Sequence, residues 1–240
     1  MKRCLLFILT MVMSVMVYAQ IPIKAHAYVD TIKKEVSTHF PEIPYMEYVP
    51  ALIEKESCVT LKHSRCFSSL SELKTHRERG VGLGQITIAY NQDGTVRFDK
   101  LTEMTTKYKA QLKGVDWGNI GRSPDAQIRI MTLMLRDDYR ALYNVEDEYQ
   151  RLSMTDAAYN GGRGSVNKER RICGLAKDCD PDIWFGHVER YCSKSKKPMK
   201  AYGNRSICDI HRDHVRSVMK VKLPKYVKAN FLGIRKISTQ

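Results

Sequence analysis

Pro50-Ala51-Leu52-Ile53-Glu54-Lys55-Glu56-Ser57-Cys58 is the stretch from which the rest of the chain is read. It predicts a short helix with Pro50 near the first turn, where the missing N–H costs nothing. At about 100° per residue, Glu56 falls between Leu52 and Ile53 on the apolar face, while Glu54 and Lys55 point toward solvent. An ionised carboxyl on a buried stripe is costly, so Glu56 is expected to resist ionisation, as a general acid near neutral pH must. The plain alternative is a frayed helix with Glu56 solvated, and spacing alone does not separate the two.

The N-terminus sets the compartment. Met1-Lys2-Arg3, an apolar run from Cys4 to Val17, and Val17-Tyr18-Ala19 predict a secretory signal over 1–19, cleaved after Ala19. The run is short for a membrane span, which needs about 20 apolar residues; an uncleaved anchor is the alternative. No later stretch is apolar enough to cross a bilayer. The remainder, 20–240, has the length of one domain. Cys4 leaves with the signal, and Cys58, Cys66, Cys173, Cys179, Cys192 and Cys208 remain. An even count in an exported chain points to disulfides. Short loops favour Cys58–Cys66, Cys173–Cys179 and Cys192–Cys208, one of many connectivities that six cysteines allow. Periplasmic or secreted placement follows.

The formal charge is +14 and stays strongly positive without Lys2 and Arg3. Such a balance implies an acidic partner or surface, which outside the cytoplasm means the cell wall or an anionic membrane face. No zinc-finger, basic-zipper or RNA-recognition signature is present, and no nucleic-acid partner is expected.

Along the chain, 21–40 carries a helical pattern with Ala25, Tyr28, Val29, Ile32 and Val36 on one side. The 59–79 stretch reads as loop with a short helix near Ser69–Lys74. Gly80-Val81-Gly82-Leu83-Gly84-Gln85 is a glycine-dense turn. Strand-like runs at 86–90 and 95–98 around Asn91-Gln92-Asp93-Gly94 predict a β-hairpin. Ser123-Pro124 opens the clearest helix, with Ser123 as cap and a core stripe of Ile128, Met131, Leu135, Tyr139 and Leu142. A second short helix runs from about Met154 to Tyr159 and stops at Asn160-Gly161-Gly162. The 163–205 stretch reads as a Cys/Lys-rich stapled excursion, and a last helix covers about 209–220.

Glu56-Ser57, Gly82-Leu83-Gly84-Gln85 and Ala157-Ala158-Tyr159-Asn160-Gly161-Gly162 occur in this order, and together they resemble the soluble lytic transglycosylase family. That family shows a Glu-Ser pair ending a helix, a Gly-Leu-Met-Gln turn, then an Ala-Tyr-Asn-x-Gly helix end. The resemblance spans roughly 45–166, with a looser echo in the C-terminal helix. It implies a mainly α, lysozyme-like domain with a small β-hairpin, stapled by disulfides, that acts on peptidoglycan glycan strands.

By the same resemblance Glu56 is the sole catalytic acid/base. Ser57 holds the carboxyl or contacts sugar, Gln85 lines the cleft beside the scissile bond, Tyr159 hydrogen-bonds toward Glu56, and Asn160 is a cleft residue or helix-end brace. Two positions depart from the pattern. Gly84 stands where the family has methionine, which removes an apolar side chain from the cleft floor. His214-Val215 stands where relatives carry Tyr-Val, so no role passes to His214.

The implied chemistry needs one carboxyl. Glu56 protonates the oxygen between N-acetylmuramic acid and N-acetylglucosamine. It then takes the proton of the muramic acid C6 hydroxyl, which closes a 1,6-anhydro ring without water. No cofactor is implied. Ser57, Gln85, Tyr159 and Asn160 each have bland readings alone: Tyr159 as core, Asn160-Gly161 as a helix stop, and Gly80 to Gly84 as a phosphate loop of the wrong spacing. Cys192, Cys208, His211 and His214 suggest metal, but zinc needs thiolates and an oxidising compartment favours the disulfide, so no metal is expected. The Lys194–Lys200 run reads first as a solvated face and second as a wall contact.

Two rivals remain open. A lysozyme-type hydrolase on the same fold needs a second carboxylate, about 6.5–9.5 Å from the first if inverting, and Asp93 and Asp99 are the candidates. A non-enzymatic cationic wall- or nucleic-acid-binding protein needs none.

Overall fold

The computed structural model describes residues 20–200 and 203–234; the expected signal segment lies outside them. The chain is about half helical, with one small antiparallel sheet. A 3-10 turn, Ile23–Tyr28, leads into α1 (Val29–His39), and Ala25, Ile32 and Val36 are buried as their spacing predicts. The next helix, α2 (Tyr48–Ser57), starts two residues before Pro50 and is enclosed on most sides, with Tyr48 to Glu54 and Ser57 all buried.

The sheet follows as a meander of β1 (Glu72–Lys74), β2 (Glu78–Val81), β3 (Ile86–Tyr90) and β4 (Val96–Asp99). The predicted hairpin is β3–β4, with a register shift at Ala89/Tyr90. The helix expected near Ser69–Lys74 is instead strand β1, paired Glu72↔Val81 through Lys74↔Arg79. Glu-Leu-Lys has little strand preference of its own; pairing with β2 decides it.

Asp99 caps α3 (Lys100–Lys107) by accepting from the Thr102 N–H at 2.9 Å. The long helix α4 (Pro124–Ala141) buries the predicted stripe from Ile128 to Tyr139, with Leu142 buried just beyond its end. Ser123 occupies the cap position, but its hydroxyl donates back to the Asn119 carbonyl rather than capping. Helix α5 (Glu148–Gly161) starts well before Met154, capped by Asp147, whose carboxylate accepts from the Gln150 N–H. Buried Ser153, Thr155 and Asp156 break its apolar period, which is why only its end is legible in sequence.

The expected excursion opens with a twelve-residue helix, α6 (Arg163–Gly174), which buries only Val166, Glu169 and Cys173. The C-terminal helix is α7 (Ile207–Ser217), started by a Ser206/Asp209 capping box. It continues through a π turn (Val218–Lys222) into α8 (Leu223–Lys228).

Two apolar clusters hold these elements. The larger gathers α1, α2, α4, α5, α7 and α8 around residues such as Leu52, Ile53, Met131, Leu152 and Tyr226. The smaller joins the sheet to α3 and α4 through Val81, Ile86, Leu101, Met104 and Ile130. All three short-loop disulfides are formed: Cys58–Cys66, Cys173–Cys179 and Cys192–Cys208. Three disulfides accord with an oxidising compartment. Among the described residues no helix is long and apolar enough to cross a membrane.

Candidate functional site

Glu56 sits in the last turn of α2, and its side chain is 15% exposed. It lines a groove lobe of about 540 Å³ with Ser57, Gln85, Tyr159 and Asn160. A larger lobe of about 1100 Å³ continues between the β4–α3 side and the start of α6. Glu78, Tyr159, Asn160, Ile207 and His211 belong to both linings, so the lobes form one groove.

Of the two glutamates of α2, it is Glu54 that departs from the sequence expectation, while Glu56 is largely covered. Glu54, expected in solvent, is 2% exposed. It is ion-paired to Lys222 and Lys225 and accepts from the Tyr226 hydroxyl at 2.8 Å. The π turn and α8 cover the face that a helical wheel assigns to water. Glu56 faces the groove instead of the apolar core.

What holds Glu56 is a chain of buried groups. Its Oε1 lies 2.7 Å from His214 Nε2. Across the ring, His214 Nδ1 lies 2.9 Å from Asp156 Oδ2, and the Tyr48 hydroxyl donates to Asp156 Oδ1 at 2.7 Å. Burial works to discharge the imidazole, but Asp156 and then Glu56 outweigh it and hold His214 up to about 9. Burial first, and then Asp156, push the Tyr48 phenol well above its ordinary range. The resemblance gave His214 no role; its sequence signal is its spacing from His211 on the last helix, which suggests only a metal pair.

The other expected site residues divide. Ser57 is buried; its hydroxyl donates to the Ile53 carbonyl at 2.7 Å and accepts from the Phe67 N–H at 3.0 Å. It pins the Cys58–Cys66 loop to the end of α2 and makes no hydrogen bond to the Glu56 carboxyl. Tyr159 donates to the Gly84 carbonyl at 2.7 Å, not to Glu56. Its phenol is pushed well above the usual range by burial, then by the charges of Glu56 and Asp156.

Gln85 takes a left-handed backbone, φ 47°, a strained conformation of the kind that gathers at functional sites. Its Nε2 donates to the Gly82 carbonyl, while its Oε1 is buried without a partner among the described residues. The turn before it is stitched to α4 by Gln127, whose Oε1 accepts from the Leu83 N–H at 2.8 Å. Gly82, at φ +81°, is the one residue there that leaves room for that amide.

Asn160 is exposed at the end of α5, and its Oδ1 lies 2.9 Å from His211 Nδ1. Burial and then Lys194 lower His211 to about 4, which keeps it neutral. Its Nε2 is a second buried atom without a partner. Two unsatisfied polar atoms in one groove lining fit a surface that completes its hydrogen bonds with a polar ligand.

The proposed second carboxylates do not line the groove. Asp93 holds the β3–β4 turn through Thr95. Asp99 is taken up by Thr102 and the Trp117 indole. Glu78 on β2, which sequence reading passed over, lines both lobes, and among the described residues its carboxylate makes no hydrogen bond or ion pair. Cys192 and Cys208 are joined to each other, so neither offers a thiolate to a metal. No protein-family model matches this chain, and no curated protein matches it.

Proposed function

We propose that the chain is an exported lytic transglycosylase with a lysozyme-like fold, which cleaves peptidoglycan between N-acetylmuramic acid and N-acetylglucosamine. The observation that carries this reading is the setting of Glu56. One carboxyl is held at Oε1 by a buried ring in a groove that also gathers Gln85, Tyr159 and Asn160, the residues of the three motifs. In this reading Glu56 gives its proton to the glycosidic oxygen and then takes that of the C6 hydroxyl, which attacks the anomeric carbon. The groove, of a size for several sugar rings, and the chain's positive charge suit an anionic wall.

Glu56→Gln is expected to keep the fold and to release no muropeptide from purified peptidoglycan. A folded Glu56→Gln protein that still lyses would remove the proposal.

A hydrolase is the second reading, and Glu78 is what favours it. A free carboxylate lining the same groove is placed to activate water. Reducing-end products that disappear in Glu78→Gln would select this reading.

A further inference from the structure

We propose that His214 is the positioning residue for Glu56, and that Asp156 and Tyr48 hold it in that task. This rests on the glycan-cleaving reading of Glu56. Asp156 is wholly buried and faces two groups, the Tyr48 hydroxyl and His214 Nδ1. Asp156 Oδ1 accepts from the Tyr48 hydroxyl and Oδ2 faces Nδ1, so a proton on Nδ1 gives the buried carboxyl a donor at each oxygen. The ring then meets Glu56 with Nε2. The charged and titratable groups coupled to this cluster come from four elements: Asp156 and Tyr159 from α5, Glu56, Tyr48 and Lys55 from α2, His211 and Asp213 from α7 itself, and Lys222 from the π turn. Two nearby carboxylates on opposite sides favour the imidazolium, whose Nε2–H donates to Glu56 Oε1.

Three consequences follow for the reaction. A glutamate has three rotatable bonds, and tying Oε1 to a ring that is itself tied on its far side removes that freedom before substrate arrives. Oε2, which makes no hydrogen bond among the described residues, is left as the oxygen that exchanges protons with substrate. When Oε2 gives its proton to the glycosidic oxygen, the carboxylate left behind already has a cation 2.7 Å away, a charge-assisted contact. The C6 hydroxyl proton then returns to Oε2, and His214 ends the cycle with the protons it began with.

A cation beside a carboxyl biases it toward its ionised form, so the charge at position 214 enters the pH dependence of turnover. A neutral residue at position 214 loosens Glu56 but removes that bias.

The test combines turnover of purified peptidoglycan across pH with 15N NMR of the histidine rings, on the chain from Gln20 onward. Wild type, His214→Gln, His214→Tyr and Asp156→Asn are compared, each checked for fold by circular dichroism. His214→Gln is expected to lose about 10- to 100-fold in kcat with little change in KM, and its alkaline limb should move to higher pH. His214→Tyr, which restores a donor without a charge, should recover part of kcat and keep the shifted limb; it also decides the matter if the glutamine variant does not fold. In wild type both nitrogens of His214 should be protonated at pH 7, and Asp156→Asn should discharge the ring. An unshifted alkaline limb in the folded variants, or a neutral His214 ring in wild type, would overturn the proposal. A wild type that releases nothing, yet keeps a doubly protonated ring that responds to Glu56→Gln, would sink the glycan-cleaving reading and leave the coupling standing.

Discussion

At the scale of the residue, Gly84 shows how a departure from a motif is absorbed. A Cβ there would lie 2.4 Å from Met131 Cγ and Sδ and 2.6 Å from the Tyr159 hydroxyl. Met131, fully buried on α4, fills the space into which a side chain at position 84 would extend, and Tyr159 anchors the Gly84 carbonyl. The space beside Gly84 is therefore filled from behind by a core methionine of another helix, one that lines neither lobe of the groove. Gly84→Met should destabilise the chain by about 1–3 kcal/mol through overpacking. Adding Met131→Ala should recover part of that loss, as coupled neighbours do. Denaturant unfolding of the single and double variants checks this, and strict additivity would contradict it. Of the site, Glu56, Gln85, Tyr159 and Asn160 were legible in sequence because each lies in a short local motif. Glu78, Asp156 and His214 were not, because their meaning comes from partners on other elements.

At the scale of the element, α7 carries two histidines one turn apart in opposite states. His211 is lowered to about 4 and His214 raised to about 9, against about 6.5 in an unfolded chain. Below 6.5 the unfolded chain takes up a proton that folded His211 refuses, so stability falls as pH drops from 6.5 toward 4. Above 6.5 folded His214 keeps a proton that the unfolded chain has released, so its contribution, complete below 6.5, is lost as pH rises through 9. Each limb is on the order of 3 kcal/mol. The urea midpoint should therefore peak near pH 6.5, with His214→Gln flattening the alkaline limb and His211→Asn the acid one. A midpoint that climbs steadily from pH 6.5 to 9 would contradict the charged state of His214. Helical spacing places both rings on one face, but their surroundings decide which is charged: Asp156 and Glu56 beside His214, burial and Lys194 around His211.

At the scale of the whole molecule, short-range staples hold what long-range packing shapes. Cys58–Cys66 closes the loop that begins two residues after Glu56, and Ser57 ties that loop to α2. Replacing both cysteines by serine should cost about 2–3 kcal/mol and lower activity as well. The same change at Cys173, near the end of α6, and Cys179, beyond it, should cost stability and spare activity. Paired melting and turnover measurements separate the two. Helices with a clean apolar period, α4 above all, and disulfides across short loops could be read from the chain directly. The polar α6, the strand β1 and the covering of Glu54 by the C-terminal turn could not, since each exists through a partner distant in sequence. The measurement that bears most directly on the proposed function is mass spectrometry of muropeptides released by the chain from Gln20 onward, beside its Glu56→Gln variant. Products one water lighter than hydrolytic ones, with 1,6-anhydro ends and absent from the variant, are predicted. Reducing ends, or products that persist in a folded Glu56→Gln protein, would contradict transglycosylation by Glu56.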